Sequence, residues 1–168
     1  MADQVTYSNI FSEARDNIVS IISDNVSDPI TTSSEYRKWI YSRYPDTKAN
    51  DFSKFPFIVV HPTDVDIEEQ GSLDMKSKNV SWGIEIEVVT CDRGYGREDG
   101  KGLSHMDDIC DSIIEQLMSK TNRQTLSANS LKFTTPTTTS VVVENVDNTK
   151  IYRRSIMVDC RSRIPISA

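Results

Sequence analysis

The run VSWGIEIEVVT at residues 80–90 constrains this chain more than any other feature. Val80, Trp82, Ile84, Ile86 and Val88 alternate with Ser81, Gly83, Glu85 and Glu87. A strict period of two places one set of side chains on a buried face and the other on a wet one, the signature of an antiparallel sheet covered on one side. A parallel strand buried on both faces would not hold Glu85 and Glu87 at its centre.

The flanking segments supply partners for that strand. Residues 55–62, FPFIVVHP, form a short β-branched run bounded by Pro56 and Pro62, which favours a strand. Val65 and Ile67 extend it as half of a hairpin arm, with a polar turn at residues 70–79. Residues 131–146 contain Leu131, Phe133, a Thr-rich stretch around Pro136, and Val141 to Val143. Val146 to Lys150 reads as a hairpin turn. The last strand, residues 151–163, sets Tyr152, Arg154, Ile156, Val158 and Cys160 on one face and Arg153, Ser155, Met157, Asp159 and Arg161 on the other.

Two segments carry helical spacing. In residues 8–23, Ile10, Ala14, Ile18, Ile21 and Ile22 recur at helical intervals behind a capping Ser8. In residues 103–119, Met106, Ile109, Cys110, Ile113, Ile114, Leu117 and Met118 form a stripe. Ser104 is the expected cap, Asp107 and Asp108 fall in the first turn, and Lys120 and Arg123 sit at the exit. Tyr36, Trp39, Ile40 and Arg43 predict a short helix over residues 35–44, ended by Pro45. The resulting expectation is an α+β fold in the order α-β-β-α-β-β, with a mainly antiparallel four-stranded sheet and both helices packed on one face. It is a single domain over residues 1–168, with its core at about 8–164. Extended loops are expected at about 24–54, 68–79, 91–102 and 120–130.

Composition narrows the function. The chain has 168 residues, enough for one domain that folds without a disulfide or metal. Hydrophobic residues make up 37%, low enough to put much of the length into loops or arms. A net charge of −6 argues against a dedicated nucleic-acid clamp, which needs clustered Lys and Arg. Cys91, Cys110 and Cys160 are odd in number and unpaired in spacing, pointing to reduced thiols and folding in a cytoplasm. No secretory signal and no membrane-length apolar run is evident.

Each chemical motif falls short. Gly94, Gly96 and Gly100 lie between a strand and a helix, where a phosphate cradle would sit, but their spacing is G-x-G-x-x-x-G and no Lys-Ser/Thr pair follows. The alternatives are a long connection, or a loop that orders against a partner through Arg93, Tyr95 and Arg97. Asp64, Asp66, Glu68, Glu69, Glu85 and Glu87 could hold a Mg²⁺ ion for a nuclease, yet position 87 is Glu where that motif needs Lys. His61 and His105 have no Cys or His at ligand spacing. Cys110 and Cys160 read as small core residues, and Trp39 and Trp82 as core anchors. No Ser or Cys sits in a nucleophile elbow. Arg153, Arg154, Arg161 and Arg163 serve either as gatekeepers against wrong edge pairing or as an ion-pair surface between subunits, with Glu85 and Glu87 as partners. No catalytic, cofactor or metal residue is assigned.

An N-terminal amphipathic helix, then FPFIVVHP, a long hairpin into SWGIEIEVVT, the helix HMDDICDSIIEQL and the final strand YRRSIMVDCRSRI together resemble the tail terminator (tail completion) proteins of long-tailed bacteriophages, over about residues 8–164. That resemblance implies a non-enzymatic virion protein, made in the host cytoplasm, that forms a homohexameric ring. The ring caps the tail tube, stops its polymerisation and meets a neck or head-completion protein. DNA passes through without specific binding. On this reading Arg93, Tyr95 and Arg97, with Asp74, Lys76 and Lys78 of the hairpin tip, contact tube or neck, while Glu85, Glu87, Arg153 and Arg161 act between subunits. The alternatives are a head–tail adaptor or stopper of the neck, a small binding domain outside any phage, and a metal-dependent nuclease.

Overall fold

The computed structural model describes residues 10–30, 37–46, 52, 54–67, 77–94, 97–98, 100–128 and 132–165. The elements run α1 (Ile10–Asn25), β1 (Ile40–Tyr41), β2 (Phe57–Ile67), β3 (Ser77–Cys91), β4 (Arg93–Gly94) and β5 (Arg97–Glu98). There follow α2 (Gly102–Met118), α3 (Lys120–Ala128), β6 (Lys132–Phe133), β7 (Thr137–Thr138), β8 (Val142–Val146) and β9 (Thr149–Pro165). The fold is α+β.

The main sheet is ordered β1-β2-β3-β9, and β6, β7 and β8 pair in turn with the far side of β9. Only β1–β2 is parallel. The alternation at residues 80–88 acts as expected. Val80, Trp82, Ile84, Ile86 and Val88 are all 3% exposed or less, and they face the helices. The register aligns them with both neighbours: Ile86 lies between Val60 and Ile156, and Ile84 between Pro62 and Val158. Onto these rows α1 lays Ala14, Ile18 and Ile22, and α2 lays Met106, Ile109, Ile113 and Leu117, all in one apolar cluster. Each such Ile or Leu contributes about 1.5–3 kcal/mol by leaving water.

Several expectations are corrected. Among the described residues the main sheet has seven strands, not four, and the simple α-β-β-α-β-β order does not hold. Residues 37–46 contain no helix. Trp39 is buried in the core, its carbonyl accepts from Ile58 N–H at 2.8 Å, and Ile40–Tyr41 adds a parallel edge. Long-range pairing with β2 outweighs a weak helical spacing. Residues 120–128 form α3 rather than loop; Ser119, at ψ 130°, breaks the chain between the two helices. Ser104 does not cap α2. The helix begins at Gly102, so Asp107 and Asp108 lie in its second turn, and the Gly102 N–H donates to Asp92 Oδ1 at 3.1 Å instead. Met118 is 40% exposed, outside the stripe. The segment at 132–146 is three short pieces, not one strand, while the loop at 91–102 contains the β4–β5 ladder.

The hairpin turn lies where it is expected. Asp147 and Asn148 have φ of 49° and 61°, left-handed values at both central positions of a two-residue loop, as a type I′ turn requires. Asp and Asn tolerate that region better than other non-glycine residues.

Candidate functional site

α1 and α2 pack on one face of the sheet, and among the described residues the opposite face divides into an apolar end and a polar middle. One end of it is closed by a second apolar cluster of Phe55, Phe57, Val59, Val89, Cys91 and Ile151, with Tyr41 and Phe52 packed against it. The middle is polar, and its charges close on one another. Arg153 Nη1 lies 3.2 Å from Glu87 Oε1, and Arg153 Nε 3.6 Å from Glu144 Oε2. The Tyr44 hydroxyl donates to Glu87 Oε2. Ser155 Oγ donates to Glu85 Oε1 at 2.5 Å, and His61 Nε2 lies 3.5 Å from Glu85 Oε2.

Two of the residues expected to link subunits, Glu87 and Arg153, thus pair within one chain. Glu87 is only 7% exposed, not on a wet face. A buried carboxylate is costly unless it is paired and hydrogen-bonded, and here it is both. Glu85 is half-buried, and Arg161 is exposed opposite Ser81 and Lys132.

Ser155, Glu85 and His61 are the residue types of a hydrolytic triad, but the wiring differs. The serine gives its proton to the carboxylate and not to the imidazole, so the contact orders Ser155 without activating it. Burial pushes the Cys110 thiol up to about 11, with Arg154 partly offsetting, and the Cys160 thiol up to about 12, with Asp159 adding to the effect. Both remain protonated and unreactive, as core thiols. Cys91 donates to the Arg93 carbonyl. Among the described residues no group of His, Cys, Asp and Glu is arranged to hold a metal ion. The Asp64 and Asp66 side chains, and Glu68 and Glu69, lie outside them.

At the glycine loop, the α2 terminus is already occupied. Besides the Asp92 contact to Gly102 N–H, Thr90 Oγ1 donates to the Gly102 carbonyl at 2.6 Å, and the Tyr152 hydroxyl donates to Asp92 Oδ2 at 3.3 Å. Burial, then the Asp92 carboxylate, raise the Tyr152 phenol above its ordinary value. The Arg93 guanidinium lies 5.8 Å from the Phe52 ring centre. Arg97 pairs through its backbone with Gly94, and Lys78 is opposite Ile164 in β3, but neither side chain is described. Tyr95, Asp74 and Lys76 lie outside the described residues.

Two features escape sequence reasoning. Arg37 forms a fork: its Nε is 2.6 Å from Asp28 Oδ2, Nη2 donates to Asp28 Oδ1 and the Pro56 carbonyl, and Nη1 donates to the Lys54 carbonyl. This ties the exit of α1 to the entry of β2. Beside β1 lies a concavity of about 240 Å³ lined by Lys38, Tyr41, Ser42, Arg43, Tyr44, Pro45, Asp46 and Lys54. Neither Arg37 nor Arg43 stands in a motif, so only their unusual density with Lys38 and Lys54 around the aromatic residues could have flagged them.

No family model matches the chain, and no curated protein matches it. Among solved structures, a chain from the "Virion of native gene transfer agent (GTA) particle" is similar, with a TM-score of 0.41 and 11% identity over 74% of this chain and 78% of that one. A likeness of that size sets neither family nor role. No helix among the described residues is long and apolar enough to cross a membrane.

Proposed function

We propose that this chain is a structural protein of a virion, a tail-terminator-type subunit that forms a ring on the end of the tail tube and joins it to the neck. One observation carries the reading: among the described residues α1 and α2 pack on one face of the sheet, and β8 forms an edge whose five residues are all exposed. On the other face Glu85, Glu87, Arg153 and Ser155 pair with one another or with His61 and Tyr44, which suits a surface that docks rather than one that reacts. The sequence resemblance to tail terminators supplies the particular assembly. Arg161 is exposed, and Glu85 and Arg153 keep side chains 27% and 32% exposed, so these three remain the accessible intersubunit candidates, while Glu87 is closed within the subunit. Arg93, Tyr95 and Arg97 of the glycine loop, with Asp74, Lys76 and Lys78 of the hairpin tip, are proposed for tube and neck contact. Adding the purified protein to polymerising tail tubes tests this. Tubes should stop growing and show a ring at one end by negative-stain microscopy. Tubes that lengthen unchanged and carry no ring would exclude the reading; binding to portal or neck particles alone would make it a head–tail adaptor.

A further inference from the structure

We infer that the basic end of the sheet, at Lys132 and Arg161, receives the acidic outer stripe of α2, Asp108, Asp111 and Glu115, from a second copy of this chain. The inference rests on the ring reading above and names the two surfaces that meet in the ring.

Lys132 of β6 lies directly opposite Arg161 of β9, and both side chains are exposed. Like charges set opposite each other across a ladder repel. Cys160 and Ser162 are buried on the helix side of β9, so Arg161 between them points to the other face. Its second neighbour in the row is Ser81, not a carboxylate, and Arg163 follows on the same face opposite Asn79. The carboxylates at this end stand further off than Lys132. Asp159 is exposed two residues away along β9, and Asp66 pairs with Ser81 two strands, about 10 Å, from Arg161. Among the described residues no ion pair joins Lys132 or Arg161 to a carboxylate.

Charge selects the occupant, and this chain carries it. α1 holds three carboxylates against Arg15, and α2 holds four with no Lys or Arg, a net −6 that equals the charge of the whole chain. The excess acid therefore sits in the helix layer. Within α2, Arg154 holds Asp107 at 3.7 Å. Asp108, Asp111 and Glu115 are exposed and spaced i, i+3 and i+7, one stripe on the side of the helix away from the buried Met106, Ile109 and Ile113. Like charges three and four apart on a helix also repel. Each surface is thus self-repelling alone and relieved by the other. α2 covers one side of the sheet while Arg161 points from the other, so a single copy cannot join them. Complementary surfaces on opposite sides of one sheet give a head-to-tail contact rather than a two-fold one, and such contacts repeat until they close into a ring.

Native mass spectrometry of the full chain tests the assignment by charge reversal. One variant carries Lys132→Glu with Arg161→Glu; the other carries Asp108→Lys, Asp111→Lys and Glu115→Lys. These side chains are exposed, so each variant should keep the wild-type far-UV circular dichroism. Alone, each opposes like charges at every contact and should raise the dissociation constant of the ring by at least about tenfold. Mixed, the two restore opposite charges at both kinds of contact and should form rings in which the variants alternate in equal number. Should a reversal not fold, Lys132→Gln with Arg161→Gln and Asp108→Asn with Asp111→Asn and Glu115→Gln replace it, each expected to weaken the ring without the rescue on mixing. Variants that form wild-type rings by themselves, or folded reversal variants whose mixture forms none, overturn the inference while leaving the ring reading standing; the second result assigns the two surfaces to other partners. A wild-type chain that is monomeric at every concentration overturns both.

Discussion

Arg153→Ala should destabilise the subunit by an amount the polar middle of the sheet makes predictable. Arg153 is the cation that balances Glu87, whose side chain is 10% exposed, and it also reaches Glu144 at 3.6 Å. Removing one partner of a buried ion pair costs about 3–5 kcal/mol, because the remaining charge is left uncompensated. The Arg153 side chain is itself 32% exposed, and Tyr44 still donates to Glu87, so the cost belongs at the low end, about 3 kcal/mol. For a chain of this length that lowers the melting temperature by about 6–12 °C. Replacing both partners, Arg153→Met with Glu87→Met, leaves no charge stranded and should recover most of the loss. The assay is thermal unfolding of the wild type, Arg153→Ala and the double-methionine variant over a roughly hundredfold range of protein concentration. A pair closed within one subunit gives the same deficit at every concentration. An Arg153→Ala protein that melts with the wild type, or a deficit that vanishes on dilution, would refute the reasoning and return the pair to a subunit interface.

Other perturbations probe the remaining joints. Arg37→Ala takes the guanidinium from the Asp28 carboxylate, 5% exposed, and removes the bonds to Lys54 and Pro56; a loss of about 3 kcal/mol is expected, with faster amide exchange at residues 26–30 and 54–58 by mass spectrometry. Gly102→Ala brings a Cβ to 2.7 Å from the Cys91 carbonyl carbon and Tyr152 Cε2; overpacking of about 1–3 kcal/mol should appear in denaturant titration. Cys110 and Cys160 should resist thiol reagents until the protein unfolds, and they set the sign of an alkaline effect. Burial raises both from 9.0, to about 11 and about 12, so their stabilisation is fully present below pH 9. Above it the unfolded chain loses these protons first, and stability measured by urea titration should fall as pH rises toward 11–12.

The parts of the fold legible in the sequence are those encoded locally. Period two at residues 80–88 records which side of β3 is buried, and helical spacing does the same for α1 and α2. Asp147-Asn148 announces its turn through the backbone it tolerates. What stayed hidden depends on distant chain. Glu87 is polar at a position that alternates with apolar ones, and so reads as wet. It is buried because Tyr44, 43 residues earlier, and Arg153, 66 residues later, converge on it. β1 was masked because Tyr36, Trp39, Ile40 and Arg43 also fit a helix, and only β2 decides between the two. α3 was masked because KTNRQTLSA has almost no apolar stripe to display a period. The open edge at β8 was legible as a Val-rich strand but not as an edge, since strand order is set by tertiary pairing.

The central claim, that this chain builds a ring, is tested most directly by the mass of the full-length protein in native mass spectrometry across dilution. A single closed assembly of six copies, giving way to monomers without extended intermediates at high concentration, is the expected result. A monomer at every concentration, or an open ladder of ever larger species, would contradict it.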